Sequence, residues 1–89
     1  MKFSPGRLVA TPGALAAFEA SGEPPWDYLL RHLAGDSGDL DEEDKQENEF
    51  ALRNNLRIIS AYHLRNGTKF WCITEWDRSV TTFLLPSEY

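Results

Sequence analysis

The last third of the chain changes its hydrophobic period, and this change limits the fold more than any other feature. Arg57 to Leu64 and Lys69 to Glu75 are rich in β-branched and aromatic residues, with Asn66-Gly67 between them. Asn-Gly between two such runs is the strongest short hairpin signal, because both residues tolerate the left-handed backbone of a tight two-residue turn. A turn at Asp77-Arg78 leads into a third strand over roughly Ser79 to Leu85, so the expected product is a three-stranded antiparallel meander. Closing the first turn with Arg65 opposite Thr68 sets Tyr62 against Trp71 and Ser60 against Ile73 on one face. It sets Ala61 against Cys72 and His63 against Phe70 on the other. Carried through the second turn, the register brings Leu84 beside Trp71 and Phe83 beside Cys72. The expected core face is then Ile58, Tyr62, Trp71, Ile73, Val80 and Leu84, and the second face Phe70, Trp76, His63, Phe83 and Leu85.

The first two thirds read as one short strand and three helices. Arg7 to Ala10 is the strand. Thr11 is placed to cap a helix over Pro12 to Ala20, with Pro12 where its missing N–H costs nothing and Ser21-Gly22 as the stop. After Pro24-Pro25, the spacing of Trp26, Leu29, Leu30 and Leu33 predicts a second helix ending near Gly35, packed on the first as a hairpin. Asp39 followed by Glu42 fits a capping pattern for a third helix, whose first turn is crowded with acids that the helix dipole favours. Asp41 to Lys45 and Glu49 to Arg53 are i,i+4 pairs in the favourable order. Leu40, Phe50, Ala51 and Leu52 are its anchors, so this helix is expected to dock through its ends. The predicted architecture is one α+β domain over residues 1–89: short N-terminal strand, two-helix hairpin, acidic third helix, C-terminal three-stranded antiparallel meander. Helices can cover one face of such a sheet; the other is either covered by the third helix or the N-terminal segment, as large apolar patches usually are, or left as a docking or homodimer surface.

Charge is unevenly placed. The 89 residues carry a net −5, yet residues 36–49 hold eight acids against Lys45 alone. Arg53, Arg57, Arg65, Lys69 and Arg78 lie near the sheet with Trp71, Trp76 and Phe70 as stacking residues. The net charge nevertheless repels a polyanion, so no direct nucleic-acid contact is expected. No apolar run is long enough to cross a membrane and none resembles a secretory leader, so a cytoplasmic protein is expected.

Few chemistries are available. Cys72 is the only cysteine, and the predicted register puts it within diagonal reach of His63, with nothing else to activate the pair. His32 and His63 are far apart in sequence, and the acidic run lacks the glycine of a calcium loop, so no metal or other cofactor is expected. Phosphate loops and a Gly-x-Ser-x-Gly elbow are absent. Carboxylates spaced along an exposed helix can imitate the phosphate line of a duplex and enter a basic channel. A charge run of this kind more commonly serves as a solvated helix face; if it binds a partner, the candidate residues are Asp36, Asp39, Asp41, Glu42, Glu43, Asp44, Glu47 and Glu49, with Phe70 and Trp76 as aromatic anchors.

Three stretches together carry a resemblance: Phe3-Ser4-Pro5-Gly6-Arg7-Leu8-Val9-Ala10-Thr11-Pro12-Gly13-Ala14-Leu15; Gly35-Asp36 with Gly38 to Asp44; and Ile73-Thr74-Glu75 through Asp77-Arg78-Ser79 to Leu84-Leu85-Pro86-Ser87-Glu88-Tyr89. They resemble small plasmid-related bacterial proteins found on plasmids, integrative elements and prophages. Trp76 departs from the small residue expected before Asp77-Arg78. The resemblance implies mobile-element cargo without catalytic machinery, similar to anti-CRISPR and anti-restriction inhibitors. The expected function is then non-enzymatic: stoichiometric inhibition of a host nuclease or Cas-type complex through a basic surface on that partner. Two alternatives stand beside it. The layout is similar to RelE-like ribonuclease toxins, with Arg57, His63, Arg65 and Arg78 as the corresponding candidates, and a homodimer through the aromatic second face needs no external partner.

Overall fold

Thr11 ends a strand and starts a helix in one step, its hydroxyl oxygen accepting from the Ala14 N–H at 3.2 Å. In the computed structural model, which describes residues 1–89, the chain runs β1 (Arg7–Ala10), α1 (Pro12–Ser21), α2 (Trp26–Leu33), α3 (Glu42–Asn54), β2 (Ile58–His63), β3 (Lys69–Thr74) and β4 (Val80–Leu84), with a 3₁₀ turn at Pro86–Glu88. The fold is α+β, as its local sequence signals predict. β1 does more than precede the helices: it pairs in parallel with β4 and completes one four-stranded sheet in the order β1-β4-β3-β2.

The first hairpin differs from expectation by one residue. Its loop is Arg65-Asn66-Gly67, closed by Leu64 N–H to Thr68 O at 2.9 Å and Gly67 N–H to Leu64 O at 2.8 Å. Only Gly67 is left-handed, at φ 91°. The Asn66 carboxamide accepts instead from the Thr68 N–H at 3.0 Å, which favours the three-residue bulged loop. Tyr62 therefore faces Phe70, Ser60 faces Cys72, and His63 faces Lys69. The β3–β4 register has the predicted pairs Trp71 with Leu84 and Cys72 with Phe83. As a result β2 keeps Ile58 and Tyr62 inward, while β3 and β4 turn over and send Phe70, Cys72 and Phe83 into the core.

That core joins Ala14 and Phe18 of α1 and Leu29 and Leu33 of α2 to Tyr62, Phe70, Cys72 and Phe83. Phe70 is its hub: the rings of Phe18 and Tyr28 each meet it edge-on with centroids 5.0 Å apart. Burying each of these large side chains contributes about 1.5–3 kcal/mol. α1 and α2 cover only this face, and the opposite face has no helical layer. No helix is long and apolar enough to cross a membrane.

α3 lies along the outer edge of β2 and docks through Asn48 in its middle and the expected anchor Ala51 towards its C-terminal end, whereas Phe50 stays exposed. Asn48 is buried, and its carboxamide accepts from the Ile59 N–H at 3.1 Å and donates to the Ile59 carbonyl and, at 2.8 Å, to Ser37 Oγ. Further along the same edge, Asp39 N–H donates to Ala61 O at 2.7 Å and Ala61 N–H to Ser37 O at 3.1 Å. Gly38 makes this approach feasible, since a Cβ there would sit 2.1 Å from the Ala61 carbonyl. An edge that would otherwise template another strand is thereby closed.

Candidate acidic interface and adjoining groove

The helix that carries the acids begins two residues later than its sequence pattern suggests. Asp41 is the cap, accepting from the Asp44 N–H at 2.9 Å. Asp39 instead pairs with His63 Nδ1 at 2.7 Å, across to β2. Asp36 bridges Arg31 Nε at 2.7 Å and accepts from the Gly38 N–H at 2.9 Å, contacts that hold its carboxyl below the usual range. These three aspartates are committed to holding the α2–α3 loop and the start of α3.

The remaining acids are differently placed. Glu42, Glu43, Asp44, Glu47 and Glu49 are all exposed, and none lies within 4 Å of a basic group. The expected i,i+4 pairs to Lys45 and Arg53 do not close to that distance. With Asn48 fixing the inward side, helical spacing distributes the carboxylates around the rest of α3. Glu42 and Glu49 border a recess of about 160 Å³ on the α2 side, next to Lys2 and Lys45. Asp44 and Glu47 border a larger groove on the open side of the sheet. Glu43 belongs to neither.

The groove holds about 600 Å³. Ile59 and Trp71 form its strand side, Leu40 and Leu56 lie at its helix side, and Tyr89 closes it. The Tyr89 ring meets Trp71 at 5.5 Å, and the Arg57 guanidinium lies 5.5 Å from the Tyr89 centroid. Glu88 anchors this segment by accepting from Thr11 Oγ1 at 2.5 Å and from the N–H groups of Gly13 and Leu85 at 2.9 Å, which lowers its pKa. Sequence reasoning missed the groove because it brings together residues from α3, β2, β3 and the last turn. The alternating Ile59, Ala61 and Lys69, Trp71, Ile73 on the face away from α1 and α2 were its only local signal.

The two proposed aromatic anchors separate. Trp76, on the β3–β4 loop, is 64% exposed, whereas Phe70 is 1% exposed and is no surface anchor. The overturned hairpin register is the cause: Phe70 shares its face with Tyr62 and Cys72.

The side chains able to support catalysis are dispersed or sealed. Cys72 is fully buried, its thiol pushed up by desolvation, and it lies on the sheet face opposite His63, which corrects the expectation that the two share one face. His32 is 1% exposed and sits in a buried polar chain, Ser60 to His32 at 2.6 Å, His32 to Thr74 at 2.9 Å and Thr74 to Thr81 at 2.6 Å. Thr81 donates to the Pro5 carbonyl at 2.7 Å, and a carbonyl only accepts. Thr74 must then donate to Thr81, His32 Nε2–H to Thr74, and Ser60 to Nδ1. One neutral tautomer satisfies every partner, and burial lowers the His32 pKa to about 4.

The toxin-like candidates do not converge. Arg65 pairs with Glu23 at 3.5 Å near the first hairpin, at the same end of the sheet as His63. Arg57 and Arg78 lie at the other end, beyond the roughly 20 Å length of a six-residue strand. Arg78 is a structural tie, donating to the carbonyls of Leu56 at 2.7 Å, Glu75 at 3.1 Å and Ala51 at 3.3 Å. No family model matches the chain, and neither the curated proteins nor the solved structures with which it was compared include a match.

Proposed function

We propose that the protein is a non-enzymatic binding module of a mobile element that inhibits a host nucleic-acid-processing or DNA-defence complex, one chain per target, through the acidic surface of α3. The observation that carries this reading is the exposure of five carboxylates, Glu42, Glu43, Asp44, Glu47 and Glu49, with no basic partner within 4 Å. Charges left unpaired on a firmly docked helix attract a basic surface at long range and are free to pair with its cations. The buried Asn48 holds the helix rigid against β2, so little ordering entropy opposes binding. Of the two expected aromatic anchors, Trp76 is the exposed one, beyond the C-terminal end of α3.

The test is co-purification from the bacterium that carries the protein, with wild type and with a variant bearing E42Q, E43Q and E49Q. These glutamates make no hydrogen bond or ion pair within the fold, so the variant keeps it. A nuclease or Cas-type subunit that co-purifies with wild type at low salt and is lost in the variant is the expected result. A partner retained equally by the variant contradicts the reading.

A further inference from the structure

We propose that the open sheet face and its groove bind a second copy of the chain, in a two-fold dimer whose charges pair across the interface. Two observations carry this. First, the face is apolar and only partly covered: Ala61, Ile73 and Leu84 on it are buried, but Ile59, Trp71, Val80 and Thr82 keep part of their surface open, and Leu56 and Tyr89 at the groove are 46% and 66% exposed. A sheet with one bare apolar face is commonly completed by a second layer. Second, the groove carries both signs of charge on different elements. Asp44 and Glu47 come from α3, whereas Arg57 and Lys69 come from the strand side, and no pair among the four closes to 4 Å.

Two-fold symmetry sets a patch against itself, so a patch of one sign would repel its own copy. A patch with acids on one side and cations on the other can complement its copy, each helix wall meeting the partner's strand wall. An external basic partner would be opposed by Arg57 and Lys69, which favours a second copy in this groove. The inference is independent of the inhibitory reading, because Glu42, Glu43 and Glu49 do not line the groove and stay free.

The test is the mass in solution, by sedimentation equilibrium, of wild type, of D44K/E47K and of R57E/K69E, with far-UV circular dichroism to verify folding. All four positions are exposed, so the fold tolerates the changes. The expected result is twice the chain mass for wild type, the chain mass for each variant alone, and twice the chain mass again for their equimolar mixture, in which both pairs of walls are complementary. A monomeric wild type overturns the proposal. So does a dimer that persists in both variants, which would place the contact elsewhere, for example at the outer edge of β1. Monomeric variants that fail to associate when mixed also overturn it.

Discussion

Asn48 treats Ile59 as a neighbouring strand would, accepting from its N–H and donating to its carbonyl from a single side chain. This amide ties the middle of α3 to the sheet edge, with the buried Ala51 one turn on, and so helps to set where the acids of the helix point. Asn48→Ala leaves both Ile59 groups and Ser37 Oγ without this partner in a buried setting, and each such group costs about 1–3 kcal/mol. The expected loss is about 3 kcal/mol, read as a lower denaturation midpoint in urea, together with faster amide exchange of Ile59. A midpoint unchanged from wild type would mean that α3 is held by other contacts.

Phe70→Ala and Trp76→Ala test the observed register directly. Phe70 is enclosed by Phe18, Tyr28 and Tyr62, so its truncation is expected to cost about 3–5 kcal/mol. Trp76 is mostly exposed and its loss is expected to stay within about 0.5 kcal/mol. Urea unfolding of the two variants separates these values. Equal losses would favour the alternative register, in which Phe70 faces solvent.

His32 makes stability depend on pH above the carboxylate range. Its pKa is about 4 when folded against 6.5 in the free side chain, so the unfolded chain binds the proton more readily. The stabilisation is complete above pH 6.5 and is lost as pH falls towards 4, amounting to about 2 kcal/mol by pH 5. The depressed carboxyls of Glu23, Asp36, Asp77 and Glu88 act at lower pH. Unfolding midpoints between pH 7.5 and 5 check the slope, and His32→Gln is expected to flatten it. Nitrogen chemical shifts are expected to show the proton on Nε2 at neutral pH.

Arg78→Ala separates a structural role from a catalytic one. The guanidinium gathers carbonyls from the end of α3 and from the β3–β4 loop, and charge-assisted bonds of this kind contribute about 1.5–3 kcal/mol. A lower melting temperature and faster exchange in residues 51–57 are expected. Loss of a ribonuclease turnover with unchanged stability would restore the toxin-like reading.

Elements with a strong local signal were legible in the sequence. Thr11-Pro12 opens α1, Gly22 at φ 68° ends it, and the β-branched runs form β2 and β3. Features decided by distant partners were not. Asn66-Gly67 serves a two-residue or a three-residue loop, and the inward packing of Phe70 among α1 and α2 selects the second. Asp39 and Asp41 each precede an acid by three residues, so either fits a cap. The ion pair from Asp39 to His63, 24 residues away, leaves Asp41 as the cap. The acidic surface was visible because charge is a local property, but its division between a recess and a groove depends on Asn48, which carries no charge and draws no notice in the sequence.

The most direct test of the central claim is a titration of the co-purified target's nucleic-acid activity with the purified protein. The account predicts that inhibition saturates at one chain per target and disappears with the E42Q/E43Q/E49Q variant, while Arg65→Ala inhibits as wild type does. Inhibition that persists in the triple variant, or that vanishes with Arg65→Ala, would contradict it.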